Sequence, residues 1–332
     1  MNQQQPDVSV IVLTYNVQWE KLKPTLESIL MQEDVNCEIV MADDGSAVRY
    51  DERIRELCGA RGFTRLVFSN CPCNGGTCKN LYEALKHASG RYVKPFSPGD
   101  LLYDVRVLHD WTAYMDRTAC EVSFGDAVYY QPAAAHIRPV SVRSAPVQRR
   151  LFTGRLSRAL FVDYLLANDT VLGAAVMMRA DRIRTDSARI VNRLVYAEDY
   201  MLRIAVFEGR DIRYFARRVI WYEYGLGIST AQNKTWRARL RQDFEACNEI
   251  LIESGGSGRL ARRYVRCLQS THTPGWLRKI RKCVMFPDVI WWRLRDRRGM
   301  STPSDADTAF PDRLLFGEQE RNGKERSEYA GN

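Results

Sequence analysis

The sequence predicts an α/β protein built on a mostly parallel central sheet, and three observations carry that expectation. Apolar β-branched runs alternate with amphipathic helical stretches through the first hundred residues. The runs end in loops rich in Asp, Asn, Gly and Ser. The chain has 332 residues, 45% apolar and 27% charged, which suffices for one large core or two smaller ones.

Val8 to Leu13 reads as a buried strand closed by the turn-like Thr14, Tyr15 and Asn16. Pro24 suits the first turn of a helix, and Leu26, Ile29 and Leu30 recur at helical spacing as far as Gln32. Glu38 to Ala42 is a second strand, broken by Asp43-Asp44-Gly45-Ser46. Ile54 to Cys58 is a short helix and Leu66 to Ser69 a third strand. Leu81, Leu85 and Ala88 mark a helix that Gly90 ends, and Tyr92 to Phe96 is the fourth strand. Strands and helices alternating at this length require right-handed crossovers and parallel pairing.

Beyond Asp100 the pattern predicts a helix near Leu108 to Met115, a strand pair around Val122 to Tyr130, a strand at Ala174 to Met178 and a helix at Tyr200 to Phe207. After Ser229 it turns helical and basic, with Trp236, Leu240, Phe244 and Leu251 on one stripe before the turn Gly255-Gly256-Ser257-Gly258. From Gly299 the polar composition predicts a disordered tail. The expected organisation is therefore an α/β domain over residues 1–230, a helical basic and aromatic extension over 231–298, and a tail over 299–332. No internal repeat is visible.

Composition excludes several classes. Apolar stretches such as Val171 to Met178 fall well short of the ~18 residues that a spanning helix needs. The N-terminus lacks a basic leader pattern, so a cytoplasmic location is expected. Nine cysteines without regular spacing fit reduced thiols. Cys71, Cys73 and Cys78 have no fourth ligand nearby for structural zinc, and the four histidines are scattered.

A net charge of +9 attracts polyanions. Between Thr273 and Arg298 eight Lys and Arg face only Asp288 and Asp296, among Trp276, Phe286, Trp291 and Trp292. That segment reads either as an interfacial helix on an anionic membrane surface, at the inner face of the cytoplasmic membrane, or as a helix packing its tryptophans on the core. Pro274 and Pro287 argue against one continuous helix. No helix-turn-helix, zinc-finger or RNP pattern accompanies the charge, so nucleic acid is not an expected partner.

The loops at the strand ends carry the chemistry, because ligands bind beyond the carboxyl ends of an open parallel sheet. VSVIVLTYN, ADDGS, NGGTCKN followed by A-x-x-x-A-S-G-R-Y, SPGD, AEDYML and YEYGLGIST occur in this order. In motif and spacing the chain resembles the family 2 glycosyltransferases with the GT-A fold, over roughly residues 7 to 230. The resemblance implies an inverting transferase of surface-polysaccharide assembly. Its donor would be a nucleotide sugar, UDP-linked by preference, and its acceptor a glycan or lipid-linked saccharide.

The same resemblance implies the site. Thr14, Tyr15 and Asn16 would hold the nucleotide by main-chain contacts, Asp43 would meet the base, and Asp44 would brace the loop. Asn74, Gly76 and Asn80 would set a helix N-terminus toward a phosphate. Glu198 and Asp199 would form the catalytic pair, with Asp199 as the base. The family's D-x-D-D becomes Ser97-Pro98-Gly99-Asp100, which leaves Asp100 alone to hold Mn²⁺ or Mg²⁺ beside Ser97, or leaves the site independent of metal. Glu223 and Gly225 stand where relatives often have Arg and His. The metal, Lys79, Arg91 or the Arg149-Arg150 region would then stabilise the diphosphate, while Gly225 to Ser229 closes over the donor. A catalytically silent nucleotide-sugar-binding scaffold is the alternative; the acidic pair speaks against it, since a scaffold needs no base.

Overall fold

The computed structural model describes residues 4–133, 136–140, 145–225, 234–269, 275–296 and 306–317. Strands β1 (Val8–Thr14), β2 (Cys37–Asp43), β3 (Leu66–Asn70) and β4 (Tyr92–Phe96) pair in parallel in the order β3-β2-β1-β4. β1 and β2 are buried along their whole length, which explains their near-continuous apolar sequence. Alternate residues feed two cores. Val8, Val10 and Val12 pack with Leu22, Leu26 and Ile29 of helix α1 (Trp19–Leu30) and Ile54 of α2 (Asp51–Ala60). Ile11 and Leu13 pack on the opposite face with Cys78 and Leu81 of α3 (Thr77–Ala84).

The remaining strands make the other half of the sheet mixed. They are β5 (Leu101–Leu102), β6 (Val122–Pro132), β7 (Ile137–Pro139), β8 (Val176–Arg179) and β9 (Ile212–Glu223). β8 runs antiparallel between β4 and β6, β9 runs parallel to β6, and β5 closes the far edge antiparallel to β9. The strand pair expected around Val122 to Tyr130 is the long strand β6 with the short β7 antiparallel to its end. Gly125 looks like a break but is a bulge, where the bare backbone admits Val219 and Arg217 of β9.

Helices α4 (Val107–Thr118) and α7 (Met201–Glu208) match those expected near Leu108 to Met115 and at Tyr200 to Phe207, and α5 (Arg158–Val162) and α6 (Ala180–Ile190) are two that the sequence reading did not place. α8 (Lys234–Glu253), α9 (Arg259–Leu268), α10 (Gly275–Met285) and α11 (Asp288–Asp296) do not form a separate body. Their Cys247, Leu251, Tyr264, Phe286 and Trp292 lie in the same core as Ile11 and Leu13. The boundary expected at residue 230 therefore falls inside one continuous core. The basic aromatic segment is broken at Pro287 into two helices.

Part of the tail is also ordered. Residues 309–317 are helical, and Leu314, Leu315 and Phe316 pack on Leu101, Tyr130 and Trp221, while Asp312 accepts from the Ile137 N–H at 2.6 Å. The apolar residues at helical spacing in this stretch outweigh its polar surroundings. The rest of 299–332 lies outside the described residues, apart from 306–308. All nine cysteines are free thiols. Among the described residues no helix is long and apolar enough to cross a membrane.

Candidate active site

Strand order reverses between β1 and β4, which makes their carboxyl ends the place where an open sheet leaves a crevice. A cleft of about 360 Å³ opens there, lined by Leu13, Ser97, Asp100, Glu198, Asp199 and Glu223 among others. The metal-loop carboxylate and the acidic pair, a hundred residues apart in sequence, thus face one space. A narrower recess of about 20 Å³ lies at the ends of β1 to β3, bounded by Thr14, Asp43, Arg49, Tyr50, Phe68 and Asn70.

Glu198 and Asp199 sit on a 3₁₀ turn, Glu198–Tyr200, that runs into α7. Burial pushes both carboxyls upward, Asp199 to about 6 and Glu198 to about 8. Asp199 also raises Glu198, whereas backbone N–H groups and Arg203 favour the ionised form of Asp199. Asp199 is the stronger acid of the pair, because Arg203 favours its ionised form and not that of Glu198.

The turn is fixed from two sides. Gly173 has no side chain because a Cβ there would stand 2.8 Å from Asp199 Cβ, and neither atom can swing away. Gly173→Ala is therefore expected to displace Asp199 and lower kcat about tenfold while the far-UV spectrum stays unchanged. From the other side Asp243 of α8 accepts from the N–H groups of Val195, Tyr196 and Ala197 at 3.0, 2.7 and 2.9 Å. Leu240 of the same helix lines the cleft. Sequence reading missed Asp243, whose only signal is a carboxylate on the apolar stripe of α8.

The first two loops brace each other. The Asn16 N–H donates to Ser46 Oγ at 2.8 Å, and the Ala47 N–H donates to Asn16 Oδ1 at 3.0 Å. Thr14 donates to the Ala42 carbonyl, and Asp43 accepts from the Ser46 N–H at 2.9 Å, so its carboxylate shapes the turn bordering the narrow recess. Tyr15 is half exposed. Asp44 takes the Gly75 and Gly76 N–H groups at 2.9 and 2.8 Å, which is a bracing role.

At the helix N-terminus expected to face a phosphate, Thr77, the first residue of α3, lines the cleft, while two neighbouring N–H groups are taken from within the protein. Asp44 and Asn74 Oδ1 accept the Gly76 N–H, and the Val195 carbonyl accepts the Cys78 N–H at 3.0 Å. Gly76 is at φ +87, and a Cβ on it would overlap the Val195 side chain and carbonyl. Its glycine thus permits close approach of the 195–197 turn rather than of a ligand. Asn80 is likewise buried under the sheet, donating to the Ala42 carbonyl at 2.9 Å. These corrections turn Gly76 and Asn80 from ligand contacts into supports.

The cations proposed for the diphosphate also move. Arg91 is at the opposite end of β4, paired with Asp7 and Asp116, and Arg149 is tied to Asp126. Lys79 is exposed on α3 and does not line the cleft. Sequence reading missed the cation that does, Lys21 of α1. Of the loop Gly225 to Ser229, only Gly225 lies among the described residues.

Ser97 and Asp100 line the cleft as expected, but the donor set does not fit a divalent ion. The Asp100 side chain is buried, with its carboxyl pushed up to about 7 mainly by desolvation, against the fully buried ammonium of Lys94. Glu223, whose N–H points to Asp100 Oδ1, is already engaged by Lys21. Among the described residues no group of three or more His, Cys, Asp or Glu is placed to hold a metal.

The Glycosyl transferase family 2 profile matches residues 9–181. The fold is similar to that of S. aureus TarS 1-349 in complex with UDP-GlcNAc, with a TM-score of 0.54 at 16% identity, covering 95% of this chain and 92% of that one. It spans 54% of the longer S. aureus TarS chain, at a TM-score of 0.53 and 15% identity over 93% of this chain. The mannosyltransferase PcManGT from Pyrobaculum calidifontis, in complex with GDP-Man and Mn²⁺, has a TM-score of 0.53 at 12% identity, covering 96% of this chain and 88% of that one. Comparison with curated protein sequences finds no match.

Proposed function

The chain belongs to glycosyl transferase family 2 and has the GT-A fold, and from that premise we propose that it is an inverting transferase moving a sugar from a nucleotide donor to an acceptor hydroxyl. The observation that carries the reading is Asp199. Its carboxylate lines a cleft at the switch point of the sheet, together with Ser97, Asp100 and Glu198.

Asp199 takes the proton from the acceptor hydroxyl. The freed oxygen attacks the anomeric carbon from the face opposite the diphosphate, and the carbon–oxygen bond to the phosphate breaks with its electron pair leaving on the nucleoside diphosphate. Configuration inverts in that single displacement. Burial and the neighbouring Asp199 push the Glu198 carboxyl upward, which favours its neutral form and limits negative charge in the cleft. No step here is routed through Mn²⁺ or Mg²⁺, because the donor set does not fit one.

A UDP-linked donor is favoured by the likeness to a TarS complex with UDP-GlcNAc, with the narrow recess beside Asp43 and Tyr50 as the base site. Calorimetric titration with UDP-sugars and GDP-sugars tests this reading. Binding of UDP-sugars at least tenfold tighter than of GDP-sugars supports it, and a smaller preference, a preference for GDP-sugars or no binding of either sinks it.

A glycan or lipid-linked saccharide is the proposed acceptor, at the inner face of the cytoplasmic membrane. Trp276, Leu277, Ile280 and Val284 of α10 and Ile290, Trp291 and Leu294 of α11 are exposed, whereas Phe286, Val289 and Trp292 anchor the pair in the core. The packing reading thus describes the anchored face, and the exposed face is the one a membrane contact would use. An apolar face flanked by exposed Lys279 and Arg281 suits an anionic surface. The protein should float with phosphatidylglycerol vesicles and not with phosphatidylcholine vesicles, and Trp276→Ser with Trp291→Ser should release it. Equal recovery with both lipids would refute the contact.

A further inference from the structure

Position 99 is glycine in a loop where the family pattern places an acidic side chain, and its backbone stands at φ +98. The space beside it is filled nonetheless. A Cβ on Gly99 would collide with the carboxylate of Glu223, which β9 delivers to the loop from 124 residues later in the chain. The Glu223 N–H in turn points to Asp100 Oδ1 at 3.4 Å.

This carboxylate has a cation of its own. Lys21 Nζ donates to Glu223 Oε2 at 2.7 Å, across a sequence separation of 202 residues. Their exposures differ, with 9% for the Glu223 side chain and 36% for that of Lys21. The acid is therefore the anchor and the ammonium is the member presented to the cleft. An ammonium has three N–H donors, and Glu223 takes one of them. Thr25, one turn further along α1, holds the same loop by accepting the Gly99 N–H at 3.0 Å and donating to the Asp100 carbonyl at 2.9 Å. Helix α1 thus fixes both the loop and the cation over it.

We propose that Lys21, anchored by Glu223, is the resident cation of the donor cleft and binds the diphosphate of the nucleotide donor in place of a divalent metal ion. A metal at this point would either have to displace the ammonium from Glu223 or be left with buried Asp100 as its one carboxylate from the pair. A diphosphate instead meets the free donors of Lys21 directly and gains charge-assisted hydrogen bonds. The proposal rests on the nucleotide-sugar reading of the cleft, and it gives that reading a cation supplied by α1.

Titration calorimetry with UDP and with GDP, in EDTA and in Mn²⁺, tests it without any turnover. The wild-type protein is expected to bind its preferred diphosphate with nearly the same Kd in EDTA as in Mn²⁺. Lys21→Met, which keeps the apolar stem, should weaken that binding about tenfold or more, and Lys21→Arg should recover most of it. Manganese EPR adds an independent readout. The wild type should leave Mn²⁺ free, whereas Lys21→Met, with Glu223 released, should hold more of it. Diphosphate binding at least tenfold tighter in Mn²⁺ than in EDTA overturns the proposal, as does an unchanged Kd in Lys21→Met. If neither UDP nor GDP binds in either buffer, the nucleotide reading itself fails and the proposal falls with it.

Discussion

Asp199→Asn is expected to lower kcat about a thousandfold while leaving the Kd for the nucleoside diphosphate within a factor of two, because general base catalysis contributes about 10² to 10⁴. Asn matches Asp in shape, so the turn at Glu198–Tyr200 and its contact with Gly173 are preserved. Melting temperature should hold or rise. Burial raises the carboxyl, so its ionised form opposes folding at neutral pH, and an amide removes that opposition. The pH profile supplies the sign. A base must be deprotonated to act, so kcat/KM should decline as pH drops through about 6, the value to which burial lifts Asp199. Full activity in the Asn variant would assign the proton transfer elsewhere.

The second large effect is placed outside the matched family segment. Asp243→Ala removes the acceptor of three N–H groups on the 195–197 turn, and Asp243 is itself buried. Leaving such groups without a partner costs about 3 kcal/mol, which corresponds to a fall of roughly 6 °C in melting temperature for a chain of this size. Activity should fall further than stability explains, since the turn leads directly into Glu198 and Asp199. Thermal unfolding together with kcat measured well below the transition separates the two losses. A variant that melts normally and turns over normally would show that α8 merely leans on the site.

β1 and β2 were legible because each is buried along its whole length, so its sequence is a near-continuous apolar run; β3, only partly buried, and β4, which carries Lys94 and Pro95, were placed by their alternation with helices and turns. The acidic turns were legible for a similar reason: Asp43, Asp100 and Asp199 each follow or precede a clear element. What escaped is long-range. Lys21 on a half-exposed helix face looks like any solvated lysine until β9 brings Glu223 to it. Gly76 and Asn80 look like a ligand loop, and only the approach of Val195 shows whose contact they serve. Glycine at 125 reads as a turn unless the facing strand is known to press on it. In the tail, short helical periodicity was submerged in a polar composition.

The wall that α8 lends to the cleft has a consequence for synthesis. Ribosomes deliver the β1 to β4 half first, and it emerges without Glu223 to meet Lys21 or Asp243 to hold the 195–197 turn. Such nascent intermediates fold their own layer early and wait for partners more than two hundred residues downstream. A chain ending before α8 would lack Leu240 and Asp243, so the cleft would lose part of its wall and the turn leading into Glu198 and Asp199 its brace.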